Sequence, residues 1–442
     1  MLNYIWLALV VVSVVLGGWN NQLDEVTRQA FEGAKTAVIG VALPLVGPMC
    51  IWLGIMRLAE RSGLVLILAR ALRPVLRRLF PDVPGDHPAM GSMVMNIASN
   101  MLGLGNAATP LGLRAMTDLE TLNRNPGTAT NAMCTFLAIN TSSVQLLPTT
   151  AIALLAANGS RQPTAIVGTS LLATACACVV GVSAAKFLEK LPVFAPPAPL
   201  PPPERLAGAP AVADEPVTAA APPAPRPGWT WVLYGFAALV VALLVRALFF
   251  VPPPAGEGVP TPHGFQRAVL SVSVLAVPCV LAFFPLYAAA RGIKVYEEFV
   301  DGAKEGFQVA LRVIPFLVAM LVAIGMFRGS GGMGLLTEGL RPVLSAVGFP
   351  PDLLPMVLMR PLSGSGTQGL FVDLIKQFNP DSLLARTAGT IFGSTETTFY
   401  VVAVYFGSVA VRRTRHAIAA GLLADATGVV VSVAVCRAMF GG

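Results

Sequence analysis

The strongest constraint in this sequence is a recurrence of apolar runs near the roughly 20 residues a helix needs to cross a bilayer. They fall at about 2–18, 36–58, 131–156, 163–185, 229–251, 266–290, 306–327, 384–410 and 416–438. Two further stretches, about 88–122 and 352–380, are equally apolar but are interrupted by Gly, Pro and Asn. Lipid offers no hydrogen bonds, so broken backbone inside a membrane is tolerated only where protein buries it or where it lines a cavity. Both stretches therefore read as re-entrant hairpins. The predicted fold is an all-α polytopic membrane protein with nine spans and two hairpins. Composition agrees: only 12% of residues are charged and mean hydropathy is +0.70, where a soluble domain carries about 25% charge.

Several function classes drop out at this point. The net charge of +7 first reports membrane orientation, and no basic face interleaved with aromatics suggests a nucleic-acid partner. The six cysteines all lie in apolar segments, and Cys176-x-Cys178 has no Cys or His cluster to complete a zinc site or a disulfide framework. His87, His263 and His416 are isolated, so neither metal nor cofactor is expected. No His-Glu-x-x-His motif and no paired acids at catalytic spacing occur, which argues against an intramembrane enzyme. The stretch after Met1 lacks a basic n-region and reads as a retained first span. Residues 64–80 alternate Arg70, Arg73 and Arg77 with leucines at helical spacing, an interfacial amphipathic helix with a kink expected near Pro74. Residues 192–228 are dense in Pro and Ala and read as a linker.

The halves on either side of that linker repeat. Phe31-Glu32-Gly33-Ala34-Lys35 matches Val300-Asp301-Gly302-Ala303-Lys304, and Leu72-Arg73-Pro74-Val75-Leu76 matches Leu340-Arg341-Pro342-Val343-Leu344. With small gaps, Asn140 to Ser143 falls opposite Ser394 to Thr397, with Ser142 in the place of Glu396. Glu32 and Asp301 read as first-turn acids at helix entrances. Basic residues reverse sides between the copies: arginines crowd after span 36–58 but thin out after 306–327, and the bias inverts for 131–156 against 384–410. The positive-inside rule then makes the copies antiparallel, with the N-terminus and the linker cytoplasmic. Inverted repeats with broken helices are the signature of secondary-transporter folds, whose site lies at the repeat interface near the midplane.

The polar groups inside these apolar segments are the candidate site. The first hairpin carries Asn96, Ser99, Asn100, Asn106 and Thr109 around paired glycines, suited either to a polar ligand or simply to satisfying a tight turn. The second carries Arg360, Ser363, Ser365 and Thr367. A permanent cation there needs a partner: a substrate anion, or Glu396 or Asp373 as an internal ion pair. After each hairpin comes a polar-headed span, Asn140-Thr141-Ser142 in one half and Ser394-Thr395-Glu396-Thr397 in the other. Interhelical hydroxyl bonding explains Ser and Thr but not Glu396, since a carboxylate at bilayer depth costs roughly 2.5–3.5 kcal/mol. Asp425 in the last span is a second buried acid and, with Glu396, a candidate proton or sodium site.

Specific motifs carry a resemblance. Asn96 to Ala115 resembles the signature of spore maturation protein A, while Arg360 to Gly366, Gly393 to Ser408 and Arg413 to Asp425 resemble spore maturation protein B. The resemblance implies a fusion: an A-like gate domain over 1–191, the linker 192–228 and a B-like gate domain over 229–442. It further implies membership of the nucleoside-recognition gate-domain group, which is similar to part of the concentrative nucleoside transporters, and a multi-pass place in a bacterial inner membrane. The expected function is movement or gating of a small polar or anionic solute, with proton or sodium coupling; the alternative is a non-transporting membrane scaffold or regulator. Expected partners are the bilayer and the solute, with homo-oligomerisation left open. A cavity between the hairpin tips, lined by Asn100, Ser365 and Glu396, would separate the two readings.

Overall fold

The computed structural model describes residues 2–103, 105–196, 228–251, 264–335, 338–339, 342 and 348–441; side chains at 2–5, 41, 105–107, 309–310, 312–313 and 316 are outside that description. Most of the linker and of the Leu340–Leu344 repeat segment therefore lie outside the described residues, as does the Asn106 side chain. Among the described residues the secondary structure is helical, apart from one isolated parallel bridge between Thr128 and Arg413.

In the first half, α1 (Leu2–Trp19) is followed by the long α2 (Leu23–Arg61), π-helical over Thr36–Ala42, and by α3 (Leu64–Leu79). α3 turns Val65, Ala69 and Leu76 inward and leaves Arg70, Arg73 and Arg77 exposed, as its heptad-like spacing predicts, and it runs as one helix through Pro74. The hairpin α4 (Pro88–Met101) and α5 (Gly105–Glu120) comes next. Then come α6 (Asn131–Ser142), α7 (Thr149–Ala157) and α8 (Ile166–Leu188). The second half opens with α9 (Trp229–Phe250), α10 (Gly264–Ala290) and the 35-residue α11 (Val295–Gly329). Its hairpin is α12 (Leu354–Met359) and α13 (Gly364–Phe378), followed by α14 (Leu383–Ser394), α15 (Thr398–Ser408) and α16 (Ala417–Phe440). Among the described residues, five helices are long and apolar enough to cross a membrane by themselves: α2, α8 with its leading turn, α9, α10 and α16.

Side-chain contacts fix the relative direction of the halves. Cys134 lies against the Thr414 carbonyl and Thr141 against Gly421, so α6 and α16 run parallel. Gly181 packs on Ala424 while Gly428 faces Ala177, so α8 and α16 run antiparallel. Thr169 bonds Thr390 at 2.8 Å and Gly393 lies against Ser170, so α8 and α14 run parallel. It follows that α6 and its counterpart α14 point in opposite directions. The repeat is inverted, as the reversed charge bias predicts.

Three expectations need correction here. Glu32 and Asp301 are not first-turn acids: their helices start earlier, at Leu23 and Val295, and the first-turn acids are Asp24, Glu25, Glu297 and Glu298. What the repeated motif supplies instead is its glycine. A methyl added at Gly306 would lie 2.7 Å from the Met49 carbonyl oxygen, and one at Gly54 would lie 2.9 Å from that of Phe299. The α2–α11 pair thus packs antiparallel with backbone on backbone, Gly33 against Leu321 and Gly302 against Leu53.

Second, the polar stretches do not head their spans. Each interrupts one: the chain leaves the helix between α6 and α7, and again between α14 and α15. Third, the register places Val144, not Ser142, opposite Glu396. Thr130 and Ser382 cap the two helices identically, accepting from the amides three residues on, and Ser142 and Ser394 both donate to the carbonyl three residues back. Counted from those caps, Ser142 pairs with Ser394.

Candidate functional site

Breaking a helix inside a membrane releases carbonyls and amides that must find partners. At the end of α6, Ser143 adopts a left-handed conformation (φ 40°), and the carbonyls of Ser142 and Ser143 accept from the Thr174 hydroxyl at 2.7 and 3.0 Å. At the end of α14, Arg360 does the equivalent work. Its Nη2 donates to the Phe392 carbonyl at 2.9 Å and to the Thr395 carbonyl, Nη1 reaches the Thr397 hydroxyl at 3.5 Å, and the guanidinium lies 4.8 Å from the Phe392 ring centre. The two breaks meet: the Glu396 amide donates to the Thr141 carbonyl at 2.7 Å.

Each hairpin is tied to the break that follows it in the same way. Leu146 N–H donates to the Met101 carbonyl and Phe399 N–H to the Pro361 carbonyl, both at 2.9 Å. Asn100 and Arg360, each next to the end of the first hairpin arm, then reach the last turn of α6 or α14: Asn100 donates to Asn140 at 2.8 Å, Arg360 to Phe392. One strut is a neutral amide pair, the other a cation on a carbonyl.

The remaining candidates sort by contact. Asn96 donates to the Ala108 carbonyl at 2.7 Å and to Tyr405, and Tyr405 donates to the Asn140 Oδ1 that also takes Asn100. Ser99 is buried and Thr109 half-buried on the same hairpin. Ser363 caps α13 by accepting from Gly366 N–H at 3.1 Å, and Thr367 donates back to the Ser363 carbonyl at 2.6 Å. Ser394 lies 3.5 Å from Ser432 on α16. The Thr141 and Thr395 hydroxyls are buried without a partner. Asp425 accepts from Thr398 at 2.6 Å through one oxygen, while the other has none.

The expected ion pair of Arg360 is absent among the described residues. Asp373 pairs with Arg328 instead, because α13 directs it toward the end of α11 rather than toward the break. Among the described residues Glu396 accepts only from the Thr397 amide, at 3.3 Å.

A cavity of ≈ 240 Å³ lies where these parts converge, lined by Met49, Gln145, Pro148, Thr150, Ala151, Arg360, Gly364, Gln368, Phe392, Gly393 and Glu396. Of the three residues expected to line it, Glu396 does; Asn100 and Ser365 do not. Asn100 is turned into the amide network by Asn140, and the first turn of α13 presents Gly364 and Gln368 in place of Ser365. Sequence reasoning passed over Gln145, Gln368 and Tyr405. Gln145 stood directly beside the first polar stretch and was the available signal; Tyr405 gave none, since an aromatic in an apolar helix is ordinary.

A family profile described as nucleoside recognition, Gate, matches residues 42–158 and 310–412, which enclose both hairpins and both breaks. Spore maturation protein A of Bacillus subtilis (strain 168) is 48% identical over 174 residues, 39% of this chain and 88% of the relative. Spore maturation protein B of the same organism is 42% identical over 170 residues, 38% of this chain and 96% of the relative. The chain belongs to the spore maturation protein A and B family. It is similar to both members within one polypeptide. A crystal structure of the Alcanivorax borkumensis YdaH transporter aligns over 99% of this chain and 97% of that one, at 17% identity and a TM-score of 0.43, a likeness too weak to carry an argument.

Proposed function

We propose that this spore-maturation-family protein moves or gates a small polar or anionic solute across the membrane through the cavity between its two broken helices. The observation that carries the reading is the cavity itself: a space of ≈ 240 Å³ at the junction of two inverted halves, lined by an arginine, a glutamate and two glutamine amides in an otherwise apolar fold. Solute would be held by Arg360, Glu396, Gln145 and Gln368, and the hairpin-to-break ties would carry motion of either hairpin into the site. Asp425, buried on α16 with one free carboxylate oxygen, is the group proposed to take a coupling proton or sodium. In this reading the chain is not an enzyme, its membrane is the bacterial inner membrane, and the domains divide at 1–191, 192–228 and 229–442. The N-terminus and linker are placed in the cytoplasm by the positive-inside rule.

A second reading, a membrane scaffold whose polar groups lock the halves together, is favoured by one feature. The Asn96–Tyr405–Asn140–Asn100 network joins the first hairpin to the second half. Thermal stabilisation of the solubilised chain across nucleosides, carboxylates and phosphates separates the readings. A solute class that raises Tm in the wild type and not in Glu396→Gln supports transport. Equal shifts in both proteins remove Glu396 from the site, and no shift with any class leaves the scaffold.

A further inference from the structure

The cavity is lined by one positive and one negative side chain that form no direct ion pair with each other. Arg360 is 4% exposed, spends Nη2 on the carbonyls at the end of α14 and Nη1 on the Thr397 hydroxyl, and keeps Nε without a partner. Glu396 sits at the same break and forms no ion pair among the described residues; its contact is one backbone amide. A charge in a low-dielectric pocket is costly until something complementary reaches it.

Two helix N-termini add to the positive side. Pro148, Thr150 and Ala151, at the start of the nine-residue α7, line the cavity, and no side chain caps that end. Gly364, the first residue of the 15-residue α13, lines it as well, at an end where Ser363 already takes the Gly366 N–H. Free N–H groups and the dipole at such ends favour an anionic group, the arrangement by which broken helices hold substrate carboxylates in transporters. The independent sign that an anion belongs there is Arg360 itself, a buried permanent cation in the cavity wall. Glu396 then faces whatever lies at the other end of the solute.

We infer that the solute is a small zwitterion, an amino carboxylate whose carboxylate sits with Arg360 and the starts of α7 and α13 and whose ammonium sits with Glu396. This rests on the proposed transport reading and sharpens its solute class. A simple anion would leave Glu396 facing like charge, and a neutral solute would leave both side chains uncompensated. The volume of ≈ 240 Å³ lies below the roughly 300–1,000 Å³ of pockets that enclose drug-sized ligands, which suits a compact solute.

The test uses the full chain in detergent and measures Tm against glycine, β-alanine and 4-aminobutyrate, with butyrate, butylamine and uridine as single-charge and neutral probes. At least one amino carboxylate is expected to reach half-maximal stabilisation at a concentration ten-fold or more below either single-charge probe. In Glu396→Gln that advantage over the plain carboxylate disappears. Should that variant not fold, Glu396→Asp is expected to shift the preference toward a longer amino carboxylate. Equal responses to butyrate and 4-aminobutyrate, uridine as the strongest ligand, or no response to any amino carboxylate would each overturn the inference. Uptake into proteoliposomes tells the two levels apart: zwitterion binding without uptake sinks transport but keeps the site, and uptake of another solute class does the reverse.

Discussion

Arg360 is a permanent cation inside an apolar stretch, and what it bonds to is a helix end rather than an acid. Its planar fork reaches two carbonyls and a hydroxyl of the α14–α15 break while its face rests on Phe392. Lysine keeps the charge but has neither the fork nor the flat face. Arg360→Lys is therefore expected to lower stability by about 2 kcal/mol, the scale of hydrogen bonds to a charged group. Differential scanning of the purified variant reads this directly, and an unchanged Tm would show that the break finds other partners. Residue identity was legible here and partner identity was not. The sequence marks Arg360 and Asp373 as charges in apolar surroundings, but only the direction in which α13 projects Asp373 decides that Arg328 is its partner.

At the scale of elements, the pair α2 and α11 packs through glycines that bring backbone against backbone. A side chain at Gly306 would collide with the Met49 carbonyl and the Cys50 backbone, neither of which is free to rotate away. Gly306→Leu is expected to force the helices apart and cost about 1–3 kcal/mol or more. Gly235→Ala on α9, where an added methyl meets nothing within 4 Å, is the neutral control. Tm measured side by side in the same detergent checks the contrast. The repeated Gly33 and Gly302 motif was visible as a repeat, yet its meaning was read from the wrong residue. The acids looked like helix-start markers because the helix starts themselves, Leu23 and Val295, lie in segments too charged to register as spans. Both hairpins were legible as interruptions of apolar runs, whereas 131–156 and 384–410 read as unbroken spans. The polar stretches were misplaced from the middle to the head because a helix break leaves no hydropathy signal of its own.

At the scale of the whole molecule, one end of the bundle gathers chain from both halves. Arg415 donates to the Phe194 carbonyl after α8 and to the Ala129 carbonyl before α6, and His416 is fully buried beside it under the edge of Phe194. Neither ring nitrogen has a partner. Burial, and then the charges of Arg415 and Lys186, push the His416 pKa down to about 4. An unfolded histidine titrates near 6.5, so between those values the unfolded chain binds a proton that the folded chain refuses. Stability therefore falls as pH drops through this window, by up to about 1.4 kcal/mol per pH unit, and levels off below it. Tm followed from pH 7 to 4.5 should decline, and His416→Leu should flatten that component. An identical profile in the variant would assign the decline to other groups.

The sequence by itself determined that this chain lives in a membrane, that it is a duplicated unit, and that the copies are inverted. Those are consequences of apolar length, repeated motifs and the placement of arginines, all of which are local or additive along the chain. It also marked Glu396 as the acid without an explanation. Tertiary structure alone decided which polar groups are spent on each other and which are left lining the cavity. Asn100 and Glu396 are equally polar in sequence, but Asn100 finds Asn140 while Glu396 finds only a backbone amide and the cavity. The physical reason is that hydrogen-bond satisfaction in lipid is settled between segments more than two hundred residues apart, such as Thr141 with Glu396, and no local pattern encodes which pairs will meet.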